Sequence, residues 1–249
     1  MENANYVALS RQITLQRELD ISANNLANMN TTGFKFEELL VGSQYGAPAY
    51  DDPIRSPANF AYDNGVGRNF RQGTLVQTGS VYDVALDGDN TFFTVQTAKG
   101  TGYTRDGSFI LGPDGTLETQ GGSPVQSDGG PIILDPKNGE PTISGDGIIT
   151  QMVQGQPIRV AKLNIVRIDN LSNMQKEGNG TYSLRPGANA IPATDARVHQ
   201  GMLESSNVNP MAEVTKLVQI NRAYQSLEAI MEQNNQLNRT AVERLGKVA

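Results

Sequence analysis

Hydrophobic residues recur at helical spacing at both ends of the chain, where glycine and proline are absent. The first 32 residues contain neither residue type, and no glycine lies between Pro210 and Gly246. Glycine and proline cost about 1 and 3 kcal/mol inside a helix, so their joint absence favours helical structure. The chain is therefore predicted to begin and end with long helices.

The first helix is predicted from about Asn5 to Met29. Leu9 and Ile13 form a short apolar strip on one face of this helix. Two apolar faces on one helix predict more than one packing neighbour. The other face carries an impure heptad stripe, in alternating steps of four and three residues: Ala8, Gln12, Leu15, Leu19, Ser22, Leu26 and Met29.

The last helix carries a cleaner stripe. Asn207 or Asn209 can cap it, Pro210 suits its first turn, and Glu213 lies near its positive end. Its polar distal positions allow two explanations, either buried asparagines that fix register and partner number or a distal half that faces water. The seam comprises Leu217, Ile220, Tyr224, Leu227, Met231, Asn234, Asn238, Ala241 and Leu245.

The middle of the chain is rich in Asp-Gly and Asn-Gly pairs, which are strong turn signals. Hairpins are predicted at Asp106-Gly107 and at Asp146-Gly147. The apolar phase flips within 158–168, which indicates one bulged or twisted strand. The stretch from Val41 to Phe70, with Pro48, Pro53 and Pro57, is predicted to be an extended linker.

These patterns predict an α+β fold, with long N- and C-terminal helices that form a coiled-coil-like stem and a central, mainly β domain of short strands and hairpins. The predicted domains are a discontinuous helical stem at 1–40 and 205–249, a linker at 41–70 and a β-rich domain at 71–204.

Composition removes several classes of function. The 249 residues carry a net charge of −6, with no cysteine and one histidine. Nucleic-acid binding is not expected of an acidic chain, and neither disulfides nor Cys-ligated metals can form. No basic segment followed by an apolar one opens the chain, so a cleaved signal peptide is not expected, and neither is membrane insertion.

Candidate chemistry is sparse. His199 has no serine or acid arranged around it in the sequence, so a structural or solvated role is expected. Asp87-Gly88-Asp89-Asn90 resembles the start of a calcium loop, but Phe92 and Ala98 occupy positions that an EF-hand reserves for glycine and glutamate. We therefore expect no catalytic residues, no metal site and no cofactor.

What remains is a pair of terminal helices whose seams need partners. They can pair within one molecule, parallel or antiparallel, but two helices alone bury little. Assembly from several chains is the simpler prediction. The predicted assembly interface comprises Leu15, Leu19, Leu26, Leu217, Ile220, Tyr224, Leu227, Met231, Asn234 and Asn238.

Several segments resemble the bacterial flagellar rod and hook proteins, and they cover both ends and the middle of the chain. These segments are Ser22–Lys35, Thr78–Leu86, Tyr103–Phe109, Gly201–Pro210 and Gln219–Tyr224. The residues that match the terminal motifs are Asn24, Asn25, Leu26, Ala27, Asn28, Thr32, Gly33, Phe34, Ser206, Asn207, Val208 and Asn209.

The resemblance implies a structural subunit of the rod that crosses the periplasm in the flagellar basal body. Such subunits assemble with copies of themselves and with other rod proteins, and leave through the flagellar type III export apparatus without signal cleavage. In this family the terminal helices form an inner tube around the export channel and the β domain lies outside. The length of the chain and details of its sequence favour the proximal-rod branch. Asn90-Thr91 departs from the family pattern, in which glycine is more usual at this place.

The residues of the first motif also have a local interpretation. The amides of Asn24, Asn25, Asn28 and Asn30 can satisfy the last helix carbonyls, and Gly33 can adopt a positive φ that ends the helix. Phe34 and Phe36 then return the chain to an apolar surface. The motif is expected to hold the stem and the β domain at a fixed angle.

Three alternatives stay open. The chain can be a distal-rod or hook subunit of the same family. It can also be a secreted β-rich adhesin or tail-fibre-like protein, although such proteins carry purer heptads on one side of the body. A hydrolase that uses the acidic turns at Asp83, Asp87 and Asp106 is the third.

Overall fold

A computed structural model of the chain describes residues 2–45 and 59–246. These residues form two compact units. The helical unit contains residues 2–27, 37–45, 59–68 and 209–246, and the β-rich unit contains residues 28–36 and 69–208. The α+β composition predicted from the sequence is confirmed, with one helix at each end and a mostly β central region.

The helical unit pairs two antiparallel helices with a β-hairpin. α1 spans Glu2–Ala27 and α2 spans Pro210–Gly246. The Gln12 side chain of α1 donates to the Tyr224 hydroxyl at 2.7 Å, and Ser22 donates to Glu213 at 2.7 Å. Contacts that advance along one helix and retreat along the other define an antiparallel pair.

The segment expected to be an extended linker instead contains paired strands. β1 (Glu37–Tyr45) and β2 (Asn59–Arg68) form an antiparallel pair with a bulge between Leu39 and Val41. The ladder hydrogen bonds and the buried Leu39 give these residues partners that an isolated linker lacks. The prolines at 48, 53 and 57 lie outside the described residues.

The helix boundaries differ slightly from those expected. α1 ends at Ala27, so Gly33 does not terminate it, although Gly33 does adopt the predicted positive φ of +66°. Asn209 caps α2, because its side-chain oxygen accepts from the amides of Met211 at 3.1 Å and Ala212 at 3.3 Å.

The β-rich unit contains seventeen short strands. In chain order they are β3 (Leu75–Gln77), β4 (Val84–Asp87), β5 (Thr91–Thr97), β6 (Gly100–Thr104), β7 (Phe109–Leu111), β8 (Leu117–Thr119), β9 (Gln126–Ser127), β10 (Gly130–Pro131), β11 (Thr142–Ile143), β12 (Ile148–Val153), β13 (Gln156–Lys162), β14 (Ile165–Arg167), β15 (Met174–Gly178), β16 (Thr181–Leu184), β17 (Ile191–Pro192), β18 (Arg197–Gln200) and β19 (Met202–Glu204).

A six-stranded antiparallel sheet, ordered β15-β16-β6-β5-β14-β17, organises this unit. Alternate residues of β5 face opposite sides of the sheet. Phe93 and Val95 join one buried apolar cluster, and Phe92 joins a second with Tyr103 and Tyr182. The remaining strands form the pairs β3-β19, β4-β18, β7-β8 and β9-β10 and the three-stranded sheet β11-β12-β13.

Long-range pairing overrides one predicted hairpin. β6 pairs with β5 and β16, and β7 pairs with β8, so the strands on either side of Asp106-Gly107 do not pair with each other. The turn instead brings the backbone at Gly107 close to the backbone of Val84. A Cβ at Gly107 would lie 1.7 Å from the Val84 carbonyl oxygen. The hairpin at Asp146-Gly147 is confirmed by the pairing of β11 with β12.

The predicted strand across 158–168 is two strands. β13 and β14 belong to different sheets, and Leu163 and Asn164 connect them without belonging to either strand. The Leu163 amide donates to the Gly147 carbonyl at 2.8 Å, and the Asn164 amide donates to Gln126 at 3.0 Å. The change of apolar phase thus marks a transfer between sheets.

Candidate functional site

Segments from three separate motifs converge within the β-rich unit. The Thr32 hydroxyl donates to the Asp106 carboxylate at 2.7 Å, and the Gly33 amide donates to the Glu204 carbonyl at 2.8 Å. Asp106 Oδ1 also accepts from Ser108, which fixes the turn. These two contacts join residues that are 74 and 171 positions apart in the sequence.

Gly33 permits this convergence because it has no side chain. A Cβ at this position would lie 2.5 Å from the Asp106 amide nitrogen and 2.7 Å from the Arg105 carbonyl carbon. Both contacts are with backbone atoms, which cannot rotate away. The positive φ of +66° is a second constraint that L-residues with a side chain rarely meet.

Three charged side chains form a buried cluster beside Gly33, which we call the charged node: Lys35, Arg105 and Glu204. They are 1%, 3% and 1% exposed. Lys35 Nζ donates to Glu204 Oε1 at 2.6 Å, and Arg105 Nε donates to Glu204 Oε2 at 2.7 Å. One carboxylate therefore serves two buried cations.

Neutral acceptors complete most of the node. Lys35 Nζ also donates to the Arg71 carbonyl at 2.8 Å, and Arg105 Nη1 donates to the carbonyl and hydroxyl of Thr91 at 2.9 and 2.7 Å. Arg105 Nη2 is buried and has no acceptor among the described residues. Burial lowers the pKa of Lys35, against the opposing attraction of Glu204.

Asn207 joins the backbones next to the node. Its side-chain oxygen accepts from the Phe36 amide at 2.8 Å, and its nitrogen donates to the carbonyls of Asn69 at 2.8 Å and Arg71 at 3.0 Å. Asn207 is therefore a bridge between segments of the β-rich unit, and the cap of α2 is Asn209 alone.

A second buried polar cluster lies in the helical unit, and we call it the amide node: Ser22, Asn25 and Glu213. Asn25 is 0% exposed; it donates to the Glu37 carbonyl at 2.7 Å and accepts from the Glu37 amide at 3.0 Å. Glu213 Oε2 accepts from Ser22 at 2.7 Å and from Asn25 at 3.3 Å. Asn25 thus binds a strand and the other helix, whereas we expected it to bind the last carbonyls of its own helix.

The other motif residues differ in their exposure to solvent. Phe34 and Val208 are buried, and Leu26, Asn28, Thr32 and Ser206 are half-buried, whereas Asn24 and Ala27 are exposed. Lys176 lies over the Phe34 ring at 4.8 Å from its centroid, which adds a cation–π contact.

The seam predicted on α2 is the least exposed face of that helix. Ile220 is buried, and the seam residues whose exposure is described are otherwise half-buried: Leu217, Tyr224, Leu227, Met231, Asn234 and Asn238. The side chains of Ala241 and Leu245 lie outside the described part of the structure. On α1, Leu15 is buried and Leu19 is half-buried. Much of the predicted interface therefore faces inward in the helical unit.

The second strip on α1 has no cover among the described residues of the helical unit. Tyr6, Leu9 and Ile13, which we call the outer strip, are 61%, 46% and 60% exposed. Beside it lies a groove of ≈470 Å³, whose lining includes Leu9, Ile13, Arg17, Asp63 and Tyr224. α1 does have several neighbours, as predicted, since it contacts α2, β1 and β2, but none of them covers this strip.

Two of the three acids suggested for hydrolytic chemistry, Asp83 and Asp106, hold turns. Asp83 accepts from the Thr78 hydroxyl at 2.6 Å, Asp106 accepts from Thr32 and Ser108, and Asp87 lies 3.8 Å from exposed His199. Among the described residues, no three His, Cys, Asp or Glu side chains gather as a metal site. No described helix has the length and hydropathy needed to cross a membrane.

Sequence reasoning did not identify the charged node or the amide node. Lys35, Arg105 and Glu204 stand inside quoted motifs, but 99 and 169 positions separate Glu204 from its two partners. The available signal was local: Lys35 lies between Phe34 and Phe36, and Glu204 follows Met202-Leu203. A charge among apolar neighbours indicates burial with a partner.

Three family profiles match the chain. Residues 6–35 match "Flagella basal body rod protein", residues 85–151 match "Flagellar hook protein FlgE/F/G D1 domain", and residues 199–244 match "Flagellar basal body rod FlgEFG protein C-terminal". The chain belongs to the flagellar basal-body rod protein family. The resemblance inferred from the motifs is confirmed.

Relatives from two branches of the family match the chain over most of its length. FlgF of Caulobacter vibrioides is 50% identical over 100% of both chains, and FlgF of Mesorhizobium japonicum is 35% identical over 99% of both. FlgG of Buchnera aphidicola subsp. Baizongia pistaciae is 38% identical over 94% of both. Each of these relatives is described as a flagellar basal-body rod protein, which supports the expected non-enzymatic role.

Proposed function

We propose that the chain is a structural subunit of the proximal rod of the flagellar basal body, and that it polymerises with copies of itself and with other rod proteins. The observation that carries the proposal is the outer strip. A rod-family chain with three exposed apolar side chains on its N-terminal helix has a surface that lacks a partner in the free subunit.

The intermolecular contact is assigned to outward-facing residues. The α1–α2 seam is largely covered inside the helical unit, so it holds the stem together. Outward faces of both helices carry exposed apolar side chains, including Val214 and Val218 on α2. Burial of such side chains between subunits contributes roughly 25 cal/mol for each Å² removed from water.

The two helices supply a coiled-coil-like stem. Their seam repeats at three- and four-residue steps and their register is antiparallel, which supports close side-by-side packing. In the assembled rod, stems from many subunits form the wall around the export channel and the β-rich units lie outside. The hollow shaft then transmits torque through these packed stems.

The subunit is delivered by the flagellar type III export apparatus and works in the periplasm-spanning rod. Membership of the family supports this location, because its members are basal-body proteins by description.

The proposal is tested by replacing the chromosomal gene with a variant that carries Leu9→Asp and Ile13→Asp. Charges on the outer strip disfavour burial between subunits, so the variant should fold with an unchanged unfolding midpoint but fail to enter rods. Purified basal bodies and motility provide the measurements. Ala23→Asp is the matched control, because Ala23 is exposed on α1 outside the strip. Normal rods and motility in the double variant would refute the proposal.

A distal-rod position is the second candidate, and the 38% identity to a FlgG supports it. Complementation separates the two positions. A proximal-rod subunit should restore motility to cells that lack FlgF but not to cells that lack FlgG, and the reverse result assigns it to the distal rod.

A further inference from the structure

The charged node has an unusual balance of charge. Of the lysines and arginines whose exposure the structure describes, only Lys35 and Arg105 are buried, and they share one carboxylate. With all three groups ionised the node carries a net charge of +1. An ion removed from water needs a partner of opposite charge to offset the loss of hydration.

Among the described residues, no other acid replaces Glu204 at this place. Without its carboxylate, Lys35 Nζ retains the Arg71 carbonyl and Arg105 Nη1 retains the Thr91 and Gly88 carbonyls, all of them neutral acceptors. Asp89 also attracts Lys35, but it is exposed to solvent and acts more weakly than Glu204. Asp106 is occupied by Thr32 and Ser108.

Chain order separates the cations from the acid. Lys35 precedes Glu204 by 169 positions and Arg105 precedes it by 99. Glu204 ends β19, close to the last residue of the β-rich unit at Val208. A chain that emerges from its N-terminus therefore contains both cations long before it contains their counter-ion.

We propose that the charged node makes folding of the β-rich unit conditional on Glu204, so that this unit does not reach its native state until nearly its whole sequence is available. Before that point, closing the unit would bury two like charges without an anion. After it, one carboxylate joins the N-terminal, central and C-terminal segments in a single step. This inference does not depend on the proposed rod function.

The test uses four full-length variants: Glu204→Gln, Lys35→Met, the double variant that carries both changes, and Glu213→Gln. Glutamine and methionine nearly preserve the size of the side chains they replace, so charge is the main change. Urea unfolding is followed by near-UV circular dichroism of the tyrosines, since Tyr103 and Tyr182 are buried in the β-rich unit. Glu213→Gln is the matched control, because Glu213 is buried without a salt bridge among the described residues.

Glu204→Gln is expected to lower the folding equilibrium constant of the β-rich unit by more than about 100-fold, because it leaves two buried cations unpaired. Lys35→Met should change that constant by less than about 10-fold, since it leaves one cation with one anion. The double variant should recover at least about 10-fold relative to Glu204→Gln, because only one cation then lacks a partner.

Three results would overturn the inference. The first is a Glu204→Gln variant no less stable than Glu213→Gln, and the second is a double variant that recovers nothing. The third is equal damage from Lys35→Met and Glu204→Gln, because net charge would then not control folding. If Glu204→Gln yields no folded protein, recovery of folded protein by the double variant supports the inference, and failure to recover any refutes it.

Discussion

The two units bury a carboxylate in opposite ways. In the helical unit, Glu213 accepts from the neutral donors Ser22 and Asn25 and lies in the first turn of α2, where the helix dipole favours a negative charge. In the β-rich unit, Glu204 accepts from Lys35, Arg105 and the Gly73 amide. Both carboxylates are at most 3% exposed.

The two nodes differ in how much stability each unit loses when one residue of its node is substituted. The amide node spreads its stabilisation over neutral hydrogen bonds, and the loss of one such bond costs about 1 kcal/mol. The charged node concentrates its stabilisation in one residue, and removing one partner of a buried ion pair costs about 3–5 kcal/mol. The β-rich unit is therefore the more easily broken by a single change at its node.

The largest effect we predict is that of Gly33→Ala. The new Cβ meets the backbone of Arg105 and Asp106, and alanine is strained at φ +66°. Overpacking and left-handed strain together should destabilise the β-rich unit by about 3–5 kcal/mol, measured by urea unfolding.

Gly122→Ala is the matched control for this prediction. Gly122 has a similar φ of +74°, but a Cβ there meets no atom within 4 Å. Gly122→Ala should therefore lower the free energy of unfolding only by the backbone strain, about 1–2 kcal/mol. Equal losses from the two substitutions would show that the close approach at the charged node is not a constraint.

A smaller effect is expected from Asn25→Ala in the amide node. The change removes the partners of the Glu37 amide and carbonyl and one donor to Glu213. We expect the free energy of unfolding of the helical unit to fall by about 2–3 kcal/mol. Circular dichroism at 222 nm during urea unfolding measures this change.

Ser22→Ala measures the effect of losing one hydrogen bond in the amide node. It removes a single donor to Glu213 and should lower the free energy of unfolding by about 1 kcal/mol. If Ser22→Ala were as damaging as Asn25→Ala, the stabilisation would not be distributed as described, and the comparison between the two nodes would fail.

The smallest effect is a dependence of stability on alkaline pH. The folded-state pKa of Lys35 is below its ordinary value of 10.5, so between the two values the unfolded chain holds a proton that the folded chain has lost. Stability contributed by this group therefore rises with pH in that window, by at most about 1.4 kcal/mol per pH unit.

Lys35→Met isolates this contribution. Burial raises the pKa of Tyr103, which opposes the trend because its stabilisation is lost above its ordinary value of 10.0. The difference in free energy of unfolding between wild type and Lys35→Met, measured at several alkaline pH values, cancels the tyrosine effect. A difference that stays constant with pH would contradict the lowered pKa.

Local patterns predicted the elements well where the local signal was strong. The absence of glycine and proline located both helices, and the three- and four-residue steps located the inward face of α2. Asp146-Gly147 marked a true hairpin. Asp106-Gly107 did not, because a turn signal fixes the direction of the chain but not the strand with which the next segment pairs.

Long-range contacts were beyond the sequence pattern. The ion pair between Lys35 and Glu204 joins residues 169 positions apart, and no periodicity relates them. The strands of the segment expected as a linker were missed because its prolines masked the alternation. Asn25 was assigned to its own helix end, since the nearby strand that it binds was not predicted.

The central claim is that assembly buries the outer strip of α1. The chain has no cysteine, so an Ile13→Cys variant provides one thiol whose reactivity reports exposure at that residue. A maleimide should label the free subunit rapidly, since Ile13 is 60% exposed, and should label the same variant slowly in purified rods. An Ala23→Cys variant in the free subunit is the control for reagent access to α1. Equal labelling rates of Ile13→Cys in the free subunit and in the rod would contradict the account.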